Sequence, residues 1–113
     1  MYETYIDGLR RRRREEAVRR STRAAVLRDS VGGLADLCRR SGATRVRLFG
    51  SLATGRPSSD PDIDLAVEGV PPSRFFDLYG QLLMAAATRV DLLDLADCHG
   101  SLREATLRDG VDV

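Results

Sequence analysis

The segment that most constrains this chain is residues 45–69, RVRLFGSLATGRPSSDPDIDLAVEG, in which two apolar runs flank a short polar loop. The first run ends at Gly50 and Ser51, and the second contains Asp62 and Asp64. The alternation and the apolar residue types predict a strand for each run. Because side chains at positions i and i+2 of a strand lie on one face, the two carboxylates are predicted to lie side by side.

Paired carboxylates need a counter-charge, since two so close repel each other and each raises the pKa of the other. A third acid, Asp91, lies among the apolar residues of RVDLLDL, where an unpaired charge costs free energy. If that strand neighbours the second, the three carboxylates meet at one sheet edge. Such oxygen ligands suit Mg²⁺ or Mn²⁺, and two ions about 4 Å apart are a common arrangement for phosphoryl transfer. We therefore expect Asp62, Asp64 and Asp91 to be metal-binding and catalytic residues.

The glycine–serine pair is interpreted as a phosphate-binding turn. A strand is expected to end at Gly50 and a helical turn to begin at Ser51. Glycine allows a close approach of the backbone to a ligand, and the free N–H groups at the start of a helical turn attract a phosphate. Each signal is weak alone, and the joint spacing with the acid in the third strand carries the hypothesis. Two further acids have simpler explanations, because Asp60 lies in a loop and Asp94 is predicted on the opposite strand face.

The remaining pattern predicts the order α-α-β-(turn)-β-α-β-α, an α/β (α+β) domain with a small mixed sheet flanked by helices. Residues 1–28 form an arginine-rich helix, and residues 29–113 form the domain, in which Asp29 or Ser30 caps a second helix that ends at Gly42. In a later helix Phe76, Tyr79, Leu82 or Leu83 and Ala86 recur at helical spacing. The last helix opens with the capping box Ser101–Glu104 and ends at Gly110.

The N-terminal helix carries most of the positive charge. Residues 1–28 contain nine arginines against four acidic residues, a net charge of +5, and have few apolar positions. The few apolar side chains of such a helix are expected to pack against a partner or against a second copy of the chain. Nucleic-acid binding is disfavoured, because the basic part lacks aromatic residues for base stacking.

Composition narrows the class of protein further. The 113 residues suffice for one ordinary domain, and no apolar run approaches the length of a membrane span. The N-terminus lacks the apolar region of a secretory signal, which favours a cytoplasmic location. Cys38 and Cys98 are expected to be buried or half-buried free thiols, with His99 at the surface.

Gly50-Ser51, ten intervening residues and Asp62-Ile63-Asp64 together resemble the G-S-x10-D-x-D signature of nucleotidyltransferases of the DNA polymerase β superfamily. The segments DIDLAVEG, VDLLDL and LREATLRDGV resemble the minimal nucleotidyltransferases, or MNT proteins, over residues 43–113. Two positions depart from the usual motif: Thr54 stands where an arginine is common, for which Arg56 is a candidate replacement, and Pro61 stands where serine is common.

The resemblance implies a minimal polymerase-β-like nucleotidyltransferase fold, with Asp62, Asp64 and Asp91 matching the metal-binding triad and Gly50 and Ser51 matching the nucleotide-binding turn. It also implies two Mg²⁺ ions, ATP as substrate, and a HEPN-domain toxin as partner. In that interpretation the chain transfers AMP to a tyrosine of the toxin and so acts as its antitoxin. The alternative is an antitoxin that neutralises its partner by binding, with little catalysis. Transfer to a small molecule is disfavoured, since it normally needs a further domain to hold the acceptor.

Overall fold

The computed structural model describes residues 2–55 and 61–113. Helices and strands follow one another as α1 (Tyr2–Arg40), β1 (Arg45–Phe49), α2 (Gly50–Thr54), β2 (Ile63–Glu68), α3 (Pro72–Ala85), β3 (Val90–Asp94), α4 (Gly100–Asp109) and β4 (Val111–Asp112). The predicted α/β class, with a small mixed sheet and a long N-terminal helix, is confirmed. None of the helices in the described ranges combines the length and apolarity that crossing a bilayer requires.

The sheet has the strand order β3-β2-β1-β4. Strand β1 pairs antiparallel with β2 on one side and with β4 on the other, whereas β2 and β3 are parallel. The parallel pair is joined through α3, as a crossover connection requires. The second and third predicted strands are therefore neighbours, which is the condition for the three carboxylates to meet.

One face of the sheet forms the core against α1 and α3. Its strand residues are Val46, Leu48, Ile63, Leu65, Val67, Val90 and Leu92, and all are buried. Burial of apolar area at this face provides the main stabilisation of the domain. Both cysteines are buried free thiols, as expected, and burial raises the pKa of the Cys38 thiol to about 11. The opposite face of the sheet carries Asp64 and Asp91 in the parallel strand pair.

The prediction of two N-terminal helices is wrong, because α1 continues without a break through Asp29 and Ser30. The Ser30 hydroxyl donates a hydrogen bond to the Leu27 carbonyl at 2.6 Å, within the helix, instead of capping a new one. Apolar residues that face the core continue across the expected boundary: Ala24, Leu27, Val31, Leu34, Ala35 and Cys38. The helix ends as predicted before Gly42, whose φ of 108° suits glycine.

The N-terminal half of α1 projects from the domain. Residues 4–23, which we call the arm, have exposed side chains throughout, and burial begins only at Ala24, which is 5% exposed. At a rise of about 1.5 Å per residue, the arm spans about 30 Å. The molecule accordingly measures 64 × 30 × 18 Å. Apolar side chains on the arm, including Tyr5, Ile6 and Leu9, are exposed.

Two local predictions differ from the structure. Phe76 is 82% exposed and not part of the core, since the inward stripe of α3 is formed by Phe75, Leu78, Tyr79 and Leu82. The capping box at Ser101 is wrong, because α4 begins at Gly100 and its first turn has no side-chain cap. His99, the residue before α4, is at the surface, as expected. The end of α4 at Gly110 is confirmed.

Strand β4 is held by Arg47, which lies in the middle of β1 with its side chain only 9% exposed. The Arg47 guanidinium donates to Asp112 at 2.9 Å, to the Leu107 carbonyl at 3.1 Å and to the Gly110 carbonyl. These acceptors belong to α4, its end and β4. One buried side chain therefore fastens the C-terminal segment to the sheet.

Replacement of Arg47 by Met is expected to lower the free energy of unfolding by about 2–4 kcal/mol, since the carbonyls lose a charged donor. Urea denaturation would measure the change. The matched control is Arg45→Met, because Arg45 contacts the same Asp112 carboxylate at 3.3 Å from a side chain that is 43% exposed. An exposed pair contributes about 1 kcal/mol or less. Equal losses for the two variants would contradict the anchoring role.

Candidate active site

Three aspartates lie together at one end of the parallel strand pair. Asp64 of β2 and Asp91 of β3 are directly opposite each other in the register, and Asp62 lies immediately before β2. Paired residues of neighbouring strands share a sheet face, and the residue two positions earlier shares it as well. Since the adjacent Ile63 is fully buried in the core, this face is the one turned away from the core. The structure thus brings the three predicted carboxylates together.

The carboxyl group of Asp64 is the electrostatic centre of this cluster. The pKa of Asp64 is raised to about 6, mainly by burial and also by the neighbouring negative charges of Asp91 and Asp62. A hydrogen bond between the Asp64 and Asp91 carboxyls also favours the protonated form, whereas Arg89 acts in the opposite direction. The two carboxyls are therefore close enough to share a proton, and the cluster has an excess of negative charge.

This donor set fits a divalent cation. Hard ions such as Mg²⁺ prefer carboxylate oxygens, and a cation between Asp64 and Asp91 would replace the proton they share. In residues 2–55 and 61–113, no three acidic, histidine or cysteine side chains already surround a common point as a metal cage. Binding an ion would therefore require the carboxylate side chains to rearrange.

Binding of a divalent cation is expected to weaken on acidification through pH 6. A cation needs the ionised carboxylate, and Asp64 has a pKa of about 6. At pH 5 only about a tenth of Asp64 is ionised, so the Mn²⁺ affinity should be about tenfold lower than at pH 7.5. Calorimetric titration with Mn²⁺ at the two pH values would measure this. An affinity that is constant between them would exclude Asp64 as a ligand.

Gly50 forms the contact between the glycine–serine turn and the acidic cluster. Its φ is +71°, a value that side chains rarely adopt. A Cβ atom at Gly50 would lie 2.2 Å from the Asp64 Oδ2 atom, which is not possible without displacing the carboxylate. Phe49, the residue before the turn, is paired with Asp64 in the register of β1 and β2. Glycine is thus required here both by conformation and by space.

The turn itself opens the short helix α2. The helix starts at Gly50, one residue before the predicted start at Ser51, and Ser51 is half-buried. No side chain caps its first turn within the described residues. The N–H groups at such a helix start need an acceptor from solvent or from a ligand. Gly50 and Ser51 therefore begin a helix that starts in direct contact with the carboxylate cluster.

Two arginines that support the site were not singled out by the sequence analysis. Arg28 of α1 donates from its Nε to the Leu52 carbonyl at 3.2 Å and so fastens α2 to the long helix. Arg89 lies with its guanidinium 3.6 Å from the Asp91 carboxylate. The spacing of Arg89, two residues before Asp91, was a usable signal, whereas nothing local in the sequence connects Arg28 with α2.

The other singled-out positions are not part of the cluster as described. Asp94 accepts a hydrogen bond from the Ala96 N–H at 3.0 Å and so stabilises the turn after β3, in agreement with its assignment away from the site. Thr54 donates to backbone carbonyls of its own helix. Arg56 and Asp60 lie outside the described residues.

Comparison with known proteins identifies one matching family and several solved structures with a similar fold. A family model described as polymerase beta, nucleotidyltransferase, matches residues 35–113. A solved structure of a candidate minimal nucleotidyltransferase is 32% identical, with a TM-score of 0.68 over 80% of this chain and 95% of that one. A search of curated proteins gave no match.

Two further similar structures are chains of toxin–antitoxin complexes. One complex was crystallised with AMP-PNP; it is 26% identical, with a TM-score of 0.60 over 69% of this chain and 67% of that one. The other is a mutant MntA–HepT complex, 25% identical, with a TM-score of 0.62 over 73% of this chain and 69% of that one. The match to the family model, over residues 35–113, includes the strands that carry the carboxylates.

Proposed function

The chain belongs to the polymerase beta nucleotidyltransferase family, and we propose that it transfers AMP from ATP to a tyrosine hydroxyl of a HEPN-domain toxin and thereby acts as its antitoxin. The observation that carries the proposal is the convergence of Asp62, Asp64 and Asp91 beside the Gly50–Ser51 turn. The similarity to a toxin–antitoxin complex with AMP-PNP supports the nucleotide and the type of partner.

Each element of the site has a role in this reaction. The three carboxylates would hold divalent cations, Mg²⁺ or Mn²⁺, which when bound supply positive charge to the triphosphate and its leaving group. The N–H groups of the turn and the Ser51 hydroxyl would hold phosphate oxygens. Arg28 keeps α2 in place through the Leu52 carbonyl. The nucleotide is thus fixed between the turn and the end of the parallel strands.

The reaction is an in-line displacement at the α-phosphorus. The acceptor hydroxyl oxygen forms a bond to that phosphorus, the bond to the bridging α–β oxygen breaks, pyrophosphate leaves and the hydroxyl proton is released. Catalysis of this kind depends mainly on positioning and on charge neutralisation. The carboxylates lie on the sheet face away from the core, which suits an acceptor that a large partner brings with it.

The arm is proposed as the docking element for that partner. Its apolar side chains Tyr5, Ile6 and Leu9 are 69%, 42% and 37% exposed and have no role in the core of this chain. Burying such side chains against a partner is favourable. A second copy of this chain is the other candidate occupant. Its arm would bring the same run of arginines, residues 10–14, against this one and so cost electrostatic energy.

The proposal is tested by incubating the chain with α-³²P-ATP, Mg²⁺ and the purified product of the adjacent reading frame. Label is expected on a tyrosine of that product. A chain that lacks residues 1–22 retains the buried Ala24 and Leu27, so it should fold and bind nucleotide normally. Its transfer rate at low partner concentration should fall by about tenfold or more, because a docking surface is lost.

Two results would decide against parts of the proposal. Unchanged partner affinity after removal of residues 1–22 would exclude the arm as the docking element. Absence of label with each of the four nucleotides, together with tight complex formation, would favour the second candidate function, an antitoxin that acts by binding alone. The exposed arm is the observation that favours this alternative, since docking through it needs no chemistry at the carboxylates.

A further inference from the structure

Arg89 lies at the edge of the carboxylate cluster without being packed into the domain. It immediately precedes β3, and as the residue two positions before Asp91 it is on the same side of the extended chain. Its guanidinium is 3.6 Å from the Asp91 carboxylate, and 72% of its side chain is exposed. The ion pair is therefore long and solvated, and such a pair restrains the side chain only weakly.

Arg89 is also the cation that acts on the cluster. Of the described charges that act on the Asp64 carboxyl, those of Asp62 and Asp91 are negative and that of Arg89 is positive. Two other arginines near the ends of these elements are engaged with backbone carbonyls: Arg28 with Leu52 and Arg103 with Leu95. The Arg89 guanidinium, by contrast, is exposed, and its donors remain largely available to a ligand.

A divalent cation and the Arg89 guanidinium cannot share the carboxylates without repulsion. When a cation is held between Asp64 and Asp91, the attraction that keeps Arg89 near Asp91 is reduced. A guanidinium released in this way is well suited to phosphate, because its planar set of N–H donors matches two phosphate oxygens. The exposed side chain has the freedom to make that change.

We propose that Arg89 is a nucleotide-binding residue that exchanges partners, from the Asp91 carboxylate in the absence of a divalent cation to the phosphates of a bound nucleoside triphosphate. The inference rests on the proposed function in that it takes the carboxylates as the cation site. It adds a residue and an order of events: cation binding frees the guanidinium, and the freed guanidinium strengthens nucleotide binding.

The test compares two affinities in Arg89→Gln, neither of which involves transfer. Without nucleotide, Mn²⁺ should bind about threefold to tenfold more tightly than to the unaltered chain, because a competing positive charge is removed. At saturating Mg²⁺, α,β-methylene-ATP should bind about tenfold more weakly, because a charged donor pair is lost. Arg89→Lys should keep the Mn²⁺ affinity and restore only part of the analogue affinity, since an ammonium lacks the planar fork.

Arg108→Gln is the matched control. Arg108 forms an equally exposed ion pair with an aspartate, Asp109, with 71% of its side chain exposed, and it lies in α4. This variant should change neither affinity. For Arg89→Gln, a loss of both affinities would indicate a structural role, and no change in either would indicate an inert surface residue. Either outcome would overturn the proposal.

Failure of this inference can be told from failure of the proposed function. If label transfer to the toxin fails but the two affinities shift in opposite directions, the role of Arg89 holds and the acceptor is a different one. If transfer occurs and Arg89→Gln changes neither affinity, only the role of Arg89 is wrong. Absence of analogue binding by the unaltered chain would overturn both.

Discussion

Replacement of Asp64 by Asn is expected to lower the rate of nucleotidyl transfer by about a thousandfold or more, since a ligand of the proposed cation site is lost. Asp64 is the central member of the cluster, paired with Asp91 across the parallel strands and flanked by Asp62. Asparagine has nearly the same shape but no charge. The transfer assay with α-³²P-ATP measures the effect.

The same substitution should make the metal-free chain more stable at pH 7.5. The pKa of Asp64 is raised from 3.8 to about 6 in the folded chain. The folded form therefore favours the protonated carboxyl. Its contribution to stability is fully present below the unfolded pKa of 3.8 and is lost as the pH rises from there through 6. Asparagine does not ionise, so the variant does not lose this stability as the pH rises. Urea denaturation at pH 3 and 7.5 should show a clear gain for the variant at the higher pH and little or none at the lower one.

Asp94→Asn is the control for both measurements. Asp94 lies in β3, three residues from Asp91, and stabilises the turn through the Ala96 N–H. Asparagine retains an oxygen that accepts this hydrogen bond, so neither the loss of transfer nor the gain in stability expected for Asp64→Asn should occur. An Asp64→Asn variant with normal transfer would show that the carboxylate is dispensable and would leave binding as the mode of action.

The pairing of Asp62 with Asp64 was predictable from sequence because it depends only on the two-residue period of a strand. Their proximity to Asp91 depends on the strand order. From the sequence it could be predicted only on the condition that the third strand neighbours the second. The structure meets that condition, since β2 and β3 are parallel neighbours with Asp64 opposite Asp91. The proposed chemistry of the site thus depends on residue types and spacing, which the sequence shows, whereas the assembly of these residues depends on the sheet.

The errors arose where tertiary contacts override local signals. Ser30 is a good helix cap in isolation, but the apolar stripe of α1 continues past it against the domain, so the helix does not break. Phe76 and Phe75 fit a helical pattern almost equally well, and the position of α3 on the sheet decides that Phe76 is exposed. Strand β4 has only two residues and is defined by its pairing with β1.

Gly50→Ala is expected to be the most damaging of the conservative substitutions, because it combines two penalties. Gly50 has a φ of +71°, and its added Cβ would lie 2.2 Å from the Asp64 Oδ2 atom. The backbone strain alone should cost about 1–2 kcal/mol of stability. The steric conflict must displace either the turn or the carboxylate, so Mn²⁺ binding and transfer should each fall by about a hundredfold.

Gly55→Ala separates the two penalties. Gly55 has a φ of +72° at the end of the same short helix, and no described atom lies within 4 Å of its added Cβ. This variant should show the loss of stability, measured by urea denaturation, while Mn²⁺ affinity and transfer stay within about twofold of the unaltered chain. If the two alanine variants lose activity equally, backbone strain is the cause and the contact with Asp64 is not. If only Gly50→Ala loses activity, the turn and the carboxylate act as one unit, because the space that glycine leaves is the space the Asp64 carboxylate occupies.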